Sequence, residues 1–529
     1  MRDDDRRLSL GVLLAFLLLW GGFLIFRTSF MAEDGKRYFC LFDDAMISMT
    51  YARNLVEGHG LNWARHGAPV EGFSHPLWLV PMVAANLLPI ELRFRSLPVQ
   101  LLSLAVLVLL VLAVRRLMLS WFSGERARCS GHWMPAAIMT AFCYSLAYWS
   151  LMGMETGLQA LLAVVAVHLA IASVEGRRER HLELWAVCAA AYLLRMDMLL
   201  LVLAVQAWVV ARGGLGRDRR RWLLGLGLFL AAALGYELFR WVYFHDLLPN
   251  TYYLKLTGVP LTVRLLRGLL ALEVFVLDHL PLLLLAGLGA MALRRDRRLE
   301  LPAAIFLLYC AYSVWVGGDA WDLTEEVPLR ANRYISFVLP LLFVLLNGFL
   351  NRIKSAAWVA GAAGALGLLL VNGLWPGGSD WRLMIGTRRP PQVESQRKVL
   401  RQLHRMQRIV RFGATVATAW AGIPAYFSDY KMVDILGFND RHVARLPSRT
   451  PSRMPGAGFR PGHDRWDFDY LLGRVRPDAF FQVWKGLRLE GVKVGELMTG
   501  AGYRRHKGIW LKRGSPFVRD LPATGTSPP

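Results

Sequence analysis

The chain has 529 residues, 55% of them hydrophobic, with a formal charge of +23 and a mean hydropathy of +0.34. That hydropathy excludes an ordinary soluble protein, and the apolar residues gather in blocks of about 15–20, long enough to cross a bilayer. The charge is not the footprint of a nucleic-acid binder, because the basic residues stand in short runs between apolar blocks, where the positive-inside bias places them. The runs are Arg2/Arg6/Arg7, Arg115/Arg116/Arg126/Arg128, Arg177/Arg178/Arg180, Arg212/Arg217/Arg219/Arg220/Arg221, Arg294/Arg295/Arg297/Arg298 and Arg352/Lys354.

Threading the blocks between these runs predicts about eleven spans, with the N-terminus inside and the C-terminus outside. They are 8–27, 97–114, 134–151, 158–174, 183–195, 198–212, 221–240, 279–293, 300–316, 334–350 and 357–374. The first reads as an uncleaved anchor, since Arg27-Thr28-Ser29-Phe30 follows it without a small-x-small cleavage site. Residues 28–96 form the first outer loop; its apolar stretch 76–92 carries Pro76, Pro81 and Pro89 and is expected to lie in the interface. The long apolar runs stop at Trp375-Pro376-Gly377-Gly378, which divides a membrane domain, 1–374, from an extracytoplasmic part, 375–529. There 390–412 is helix-like, and 414–419, 431–436, 478–484 and 507–513 read as short strands, giving a small α/β domain. The fold class is therefore an α-helical polytopic membrane protein with a C-terminal α/β extracytoplasmic domain. Of five cysteines only Cys40 falls outside, and no disulfide or zinc framework can be built.

The same threading collects the polar motifs on the outer side. In chain order they are Asp43-Asp44 with His75, then Gly153-Met154-Glu155-Thr156, Arg195-Met196-Asp197, Asn250-Thr251-Tyr252-Tyr253-Leu254-Lys255, Gly318-Asp319, and Arg330 with Arg333. Ionisable groups that converge at a membrane boundary are costly and tend to be functional. Each also has a plainer reading. One of Asp43 and Asp44 could be a helix N-cap, and Glu155 could cap the following span. Arg195 and Asp197 could pair only with each other. Tyr252 and Tyr253 could be belt aromatics, and Lys255 could snorkel. His59, His66, His75, His245 and His463 lack metal-ligand spacing.

The run Phe42-Asp43-Asp44-Ala45, Tyr51-Ala52-Arg53-Asn54, Gly58-His59-Gly60 and Val70-Glu71-Gly72 resembles the first outer loop of GT-C membrane glycosyltransferases. It is most similar to the terminal arabinofuranosyltransferase-like branch of the mycobacterial cell wall. The resemblance continues through Gly153-Met154-Glu155-Thr156, Leu248 to Lys255 and Gly317-Gly318-Asp319. It reaches Gly422-Ile423-Pro424-Ala425-Tyr426-Phe427, Asp434 to His442, Pro461-Gly462-His463 and Arg476-Pro477-Asp478, so the ordered set spans nearly the whole chain. Arg195-Met196-Asp197-Met198 stands where relatives often carry Arg-Pro-Asp-Gly.

The resemblance implies inverting transfer of a sugar, D-arabinofuranose in the nearest branch, from a polyprenyl-phosphate donor to a glycan, lipid or protein acceptor. It implies the inner (cytoplasmic) membrane of a bacterium, with the C-terminal part in the periplasm and membrane lipid as a partner, and no nucleic acid. By the same resemblance Asp44 or Asp43 is the catalytic base. Lys255, Arg333, Arg195, Tyr252 and Tyr253 are candidates for the donor phosphate, because developing charge on phosphate oxygens needs cationic and hydroxyl donors. Glu155, Asn250, His75, Asp319 and His463 are candidates for sugar or acceptor. The stretches 76–92 and 263–278 would flank the prenyl chain. Some GT-C enzymes place a divalent metal, Mg or Mn, between phosphate and acid, which an acidic pair alone does not establish. The rival classes are a transporter or flippase for a lipid-linked glycan, which ionisable groups near span centres and an inverted repeat would mark, and a non-catalytic assembly protein.

Overall fold

The computed structural model describes residues 3–121, 133–175, 180–215, 218–292, 296–323, 332–350, 364–370, 372, 381–449, 459–483, 488–489 and 492–519. Helix α1 (Asp3–Thr28) leads into a short strand pair, β1 (Phe30–Met31) with β2 (Arg37–Tyr38), and then into α2 (Asp43–Val56) and α3 (Pro76–Leu87). The membrane helices continue as α4 (Ser96–Trp121), α5 (Met134–Ala141), α6 (Tyr144–Leu151), α7 (Thr156–Val174), α8 (His181–Leu194), α9 (Leu199–Ala211) and α10 (Arg219–Phe244). They close with α11 (Asn250–Leu256), α12 (Leu261–Ala292), α13 (Glu300–Val316), α14 (Arg333–Ser336) and α15 (Leu339–Leu350). Among the described residues six helical segments are long and apolar enough to cross a membrane: Leu8–Thr28, Leu92–Trp121, Thr156–Val174, Arg219–Phe244, Leu261–Met291 and Arg297–Val316. The chain is thus a multi-pass membrane protein by its helices.

Several predicted spans are built differently. The block 134–151 breaks into α5 and α6 at Phe142–Cys143. Helix ends in an apolar setting need partners for their free backbone groups, and Asn372 supplies both. Its Oδ1 accepts from the Tyr144 N–H at 2.8 Å and its Nδ2 donates to the Phe142 carbonyl at 3.0 Å. The stretch 263–278, expected to flank the prenyl chain, is continuous with 279–292 as the single helix α12, in spite of Pro281. The block 334–350 divides between α14 and α15, and α8 and α9 have 14 and 13 residues, below a full crossing. Helix α3 packs along α2 and, at 12 residues, is too short to cross a bilayer, in keeping with its prolines. Most of the predicted 357–374 span, the Trp375–Gly378 boundary and Arg330 lie outside the described residues.

After the membrane helices comes the amphipathic helix Pro391–Gln407, which buries Val393, Gln396, Val399, Leu400, Leu403 and Met406 at helical spacing. The remaining strands are β3 (Thr415–Thr418), β4 (Lys431–Asp434), β5 (Ala479–Gln482), a small hairpin of β6 (Arg488–Leu489) and β7 (Val492–Lys493), β8 (Tyr503–His506) and β9 (Ile509–Lys512). Four expected strands are present as β3, β4, β5 and β9, and β8 adds an edge. The sheet order is β4-β3-β5-β9-β8, with β3 parallel to both β4 and β5 and the last two pairings antiparallel. Ala417, Ile435, Phe468, Phe480 and Tyr503 pack on one side of the sheet. Val416, Phe481 and the buried face of Pro391–Gln407 join the hydrophobic core that runs into the membrane helices.

Candidate active site

Phe42 is the N-cap residue of α2, its buried ring edge-on to Trp149 and Trp321 with centroids 5.1 Å from each. Asp43 and Asp44 are therefore the first two helical residues, and neither is the cap. Both stand where the helix dipole favours a negative charge. The Phe42 N–H donates to the Met152 carbonyl at 2.8 Å, which ties the acidic turn to the Gly153–Glu155 turn.

From this start the two carboxylates diverge. Asp44 accepts from Arg333 Nη1 at 2.8 Å, and the same guanidinium grips Asp319 through Nε and Nη2 at 2.6 and 2.8 Å. Arg333 also lies 5.1 Å over the Trp149 ring. Behind it Asp322 accepts from the Asp319 N–H at 2.6 Å and from Asn332 Nδ2 at 3.1 Å. Arg267, wholly buried, donates to the carbonyls of Phe459, Gly317 and Asp319. Asp43 turns toward the C-terminal part, where Oδ1 faces the Ile423 N–H at 3.3 Å and Oδ2 the Gly422 N–H at 3.4 Å. Burial, then the charge of Asp44, pushes the Asp43 carboxyl up to about 7 against those two amides. Gly422 is required here, because a Cβ would overlap the Asp43 carbonyl oxygen and Oδ1.

Asp43 and Asp44 line one side of a cleft of about 80 Å³ whose other walls are Ile47, Trp321, Phe438, His463 and the run Ala419-Trp420-Ala421. His463 packs edge-on against Trp321 and Phe438, with centroids 5.7 and 5.4 Å away, and its Nδ1 contacts the Pro461 carbonyl. Burial and the nearby cations Arg460 and Lys255 hold its pKa well below the ordinary value. Lys255 Nζ stands 5.8 Å over Phe438, and Arg460 lies 4.5 Å over Trp321, so two cations border the cleft.

The other candidates sit behind it. Arg195 donates to Glu155 at 2.6 Å and forks onto Asp197 at 2.6–3.2 Å. Its pairing with Asp197 is thus present, but shared with Glu155. Burial would raise the Glu155 pKa, yet His75 and Arg195 bring it down to about 2. Burial lowers the pKa of His75, which leaves Arg195 as the permanent counter-charge to Glu155. His75 spans from Ser48 Oγ (2.8 Å) to Glu155 (3.4 Å). Glu155 holds the N-cap position of α7 without capping it. Asn250 donates to the carbonyls of Gly437 and Phe438 at 2.8 and 3.0 Å and holds a loop. Tyr252 is exposed, and Tyr253 lies beneath Arg445, 4.2 Å away. Glu155, His75, Asp319 and Asn250 are enclosed rather than open to the cleft, and the N–H groups of Arg333 and Arg195 are directed at carboxylates rather than at an open anion site.

Sequence reasoning passed over Trp321, Trp420, Phe438, Arg460, Arg267 and Asn332 as site residues. Trp321 and Phe438 stand inside or beside quoted motifs and could have been taken with them; Arg267 and Arg460 carried no local signal. For a metal, no group of three or more His, Cys, Asp or Glu side chains converges among the described residues. The donor set is the pair Asp43 and Asp44, which suits Mg²⁺ only in the manner of one or two carboxylates completed by phosphate and water.

Comparison with known proteins adds a fold. Residues 391–507 match a family model described as a domain of unknown function, DUF8728. No curated protein matches the chain. Two solved structures of ArnT from Cupriavidus metallidurans are similar across most of both chains. The apo state aligns with a TM-score of 0.53 at 14% identity, over 89% of this chain and 91% of that one. The structure bound to undecaprenyl phosphate aligns with a TM-score of 0.52 at 14% identity, over 80% and 85%. The chain shares the fold of ArnT.

Proposed function

We propose that this chain is an inverting glycosyltransferase that moves a sugar from a polyprenyl-phosphate donor to an acceptor on the outer face of the membrane. The observation that carries the reading is the carboxylate pair at the cleft, Asp43 with a pKa near 7 and Asp44 fixed by Arg333. The undecaprenyl phosphate held by a protein of the same fold supports a lipid-phosphate donor, and the ordered motifs support D-arabinofuranose as the sugar. On this reading the cleft faces the periplasm of a bacterial inner membrane.

Asp43 is the base. Its carboxylate takes the proton of the acceptor hydroxyl as that oxygen attacks the anomeric carbon; the bond to phosphate breaks on the opposite face and its electron pair leaves with the lipid phosphate. A base with a pKa near the working pH combines a populated basic form with useful driving force. Asp44 and Arg333 set the field beside it, and Asp319, Asp322 and Asn332 fix the guanidinium. Lys255 and Arg460, packed over the cleft rings Phe438 and Trp321, are the cations that would meet the phosphate, with His463 as a hydrogen-bonding partner. The Glu155–Arg195–Asp197–His75 group braces the floor. If the reaction uses a divalent ion, Asp44 would hold it together with the donor phosphate, and the ion would supply charge stabilisation to that phosphate. Recovery of turnover by Mg²⁺ or Mn²⁺ after EDTA would assign it that place.

The test uses purified full-length protein with short-chain polyprenyl-phosphate sugars and follows release of polyprenyl phosphate. Acceptor-dependent release with one donor, lost in Asp43→Asn, is the expected result. Donor binding without release, over a broad acceptor panel, would overturn the assignment as a transferase.

A further inference from the structure

We propose a second anion site, separate from the cleft, that takes the phosphate of an anionic phospholipid headgroup. It lies where the last turn of α1 and helix α6 meet the segment 383–390, and none of its lining residues lines the cleft. Arg27, Tyr148 and Arg388 share one crevice there, between apolar walls made by Leu24, Leu151 and Leu383. Tyr148 is 3% exposed, and its hydroxyl is buried without a hydrogen-bond partner among the described residues. The same holds for Nε of Arg27. A buried donor left without an acceptor is costly. Here two such donors, one of them cationic, border one space, and a single negatively charged oxygen would satisfy both.

The crevice stands at the membrane boundary. Arg27 is in the last turn of α1, whose stretch Leu8–Thr28 is long and apolar enough to span. The later segment is pinned to that helix: Trp20 Nε1 donates to the Met384 carbonyl at 2.9 Å, and a Cβ at Gly386 would overlap the Phe23 ring. Phe23 and Ile385 are exposed, an apolar margin on which acyl chains can lie. Residues 381–390 hold Arg382, Arg388 and Arg389, all exposed, and no acid. At the end of α1 that leads into the acidic loop, such a cluster runs against the positive-inside bias and suits an anionic surface. The space inside is about 10 Å³, room for one oxygen-sized group. The ligand therefore enters by a tip and keeps its bulk outside. A tetrahedral phosphate does this when one oxygen is inserted and the others stay at the rim with Arg388. A water molecule fits the same space but leaves the cationic rim unanswered. Tyr148 rests edge-on against Trp149 at 5.4 Å, which Arg333 covers, and the Met152 carbonyl beside the crevice holds the Phe42 N–H. A lipid bound here braces the elements that carry the acidic turn.

Delipidated full-length protein in neutral detergent is titrated with dioctanoyl phosphatidylglycerol, dioctanoyl phosphatidylcholine and inorganic phosphate. Bound lipid is read by native mass spectrometry and Tm by thermal unfolding. The expected result is one retained phosphatidylglycerol that raises Tm. Its affinity should fall about tenfold or more in Tyr148→Phe and in Arg27→Gln. It should be unchanged in Arg37→Gln, whose guanidinium lies over Phe26 and outside the crevice. Arg388→Gln, at an exposed position, should weaken binding too and keeps the test readable if a buried substitution unfolds the protein. Binding unaltered in Tyr148→Phe, Arg27→Gln and Arg388→Gln would overturn the site. Phosphatidylcholine held as tightly would overturn the anionic class, and inorganic phosphate giving the whole Tm shift would overturn the lipid source. Binding of none of the three would leave the crevice to a buried water and overturn the proposal. None of these readouts uses turnover, so the outcome stands apart from the transferase reading.

Discussion

Asp43 is held in the cleft at a cost to stability. Its carboxyl has a raised pKa, so between the ordinary carboxylate range and about 7 the folded protein binds more protons than the unfolded chain. Stability from this group therefore falls as pH rises through that window. Removing the charge should then separate activity from stability. Asp43→Asn is expected to lower turnover by about 100-fold or more and to raise Tm at pH 8, read by thermal unfolding in detergent beside a transfer assay. In the wild type the rate should climb as pH rises through about 7 and then level, because only the deprotonated carboxyl accepts a proton. A rate already flat from pH 5 would remove Asp43 from the base role. Gly422→Ala should lower both activity and Tm, since the new methyl overlaps Asp43. Arg333→Lys cannot reproduce a fork onto Asp319 with a third bond to Asp44, and is expected to lower kcat more than it raises the donor KM.

At the scale of elements, the motif residues are largely braces that carry the acidic turn. On α2, Tyr51 Oη donates to the Val70 carbonyl at 2.6 Å and meets Asn439 Oδ1 at 3.0 Å. Arg53 reaches the Tyr426 carbonyl at 2.6 Å and Asp429 at 2.6 Å, and Asn54 holds the carbonyls of Asn62 and Trp63. Glu71 pairs with buried Arg240 of α10 at 2.6 Å, while Tyr236 donates to its other oxygen at 2.7 Å. The helix that bears the acids is thus clamped at both ends by groups from distant chain segments. The α5–α6 junction is braced by a single side chain. Asn372→Ala should leave the Tyr144 N–H and Phe142 carbonyl without partners, costing about 2–4 kcal/mol, and a lowered Tm in detergent would register it. An unchanged Tm would show that neighbouring groups satisfy the break.

Across the whole molecule the C-terminal part is a wall of the candidate site as well as an appendage to the membrane helices. It supplies Ala419, Trp420, Ala421, Phe438 and His463 to the cleft and the two amides that face Asp43. Its helix Pro391–Gln407 shares the apolar core of α1, α2 and α6. A chain ended at Pro390 would expose that core and the carbonyl-seeking groups of Arg53 and Asn250. It is expected to run as aggregate on size exclusion, whereas a monodisperse truncated protein would show that the membrane helices fold without it.

Hydrophobic blocks, arginine runs and turn-bounded strand patterns are local properties of the chain, so the membrane class, most helices and four of the sheet strands could be read from sequence alone. The acidic pair was legible for the same reason, as charge placed where charge is costly. What tertiary structure decided was which carboxylate does what. Asp44 and Arg333 are 289 positions apart and Asp43 and Gly422 are 379 apart, and no local pattern encodes such a pairing. The break between α5 and α6 likewise depends on Asn372, 228 positions from Tyr144. Electrostatic roles and cleft walls arise only when distant segments share one low-dielectric space, because burial and neighbouring charge, rather than residue type, set the basicity and reach of each group.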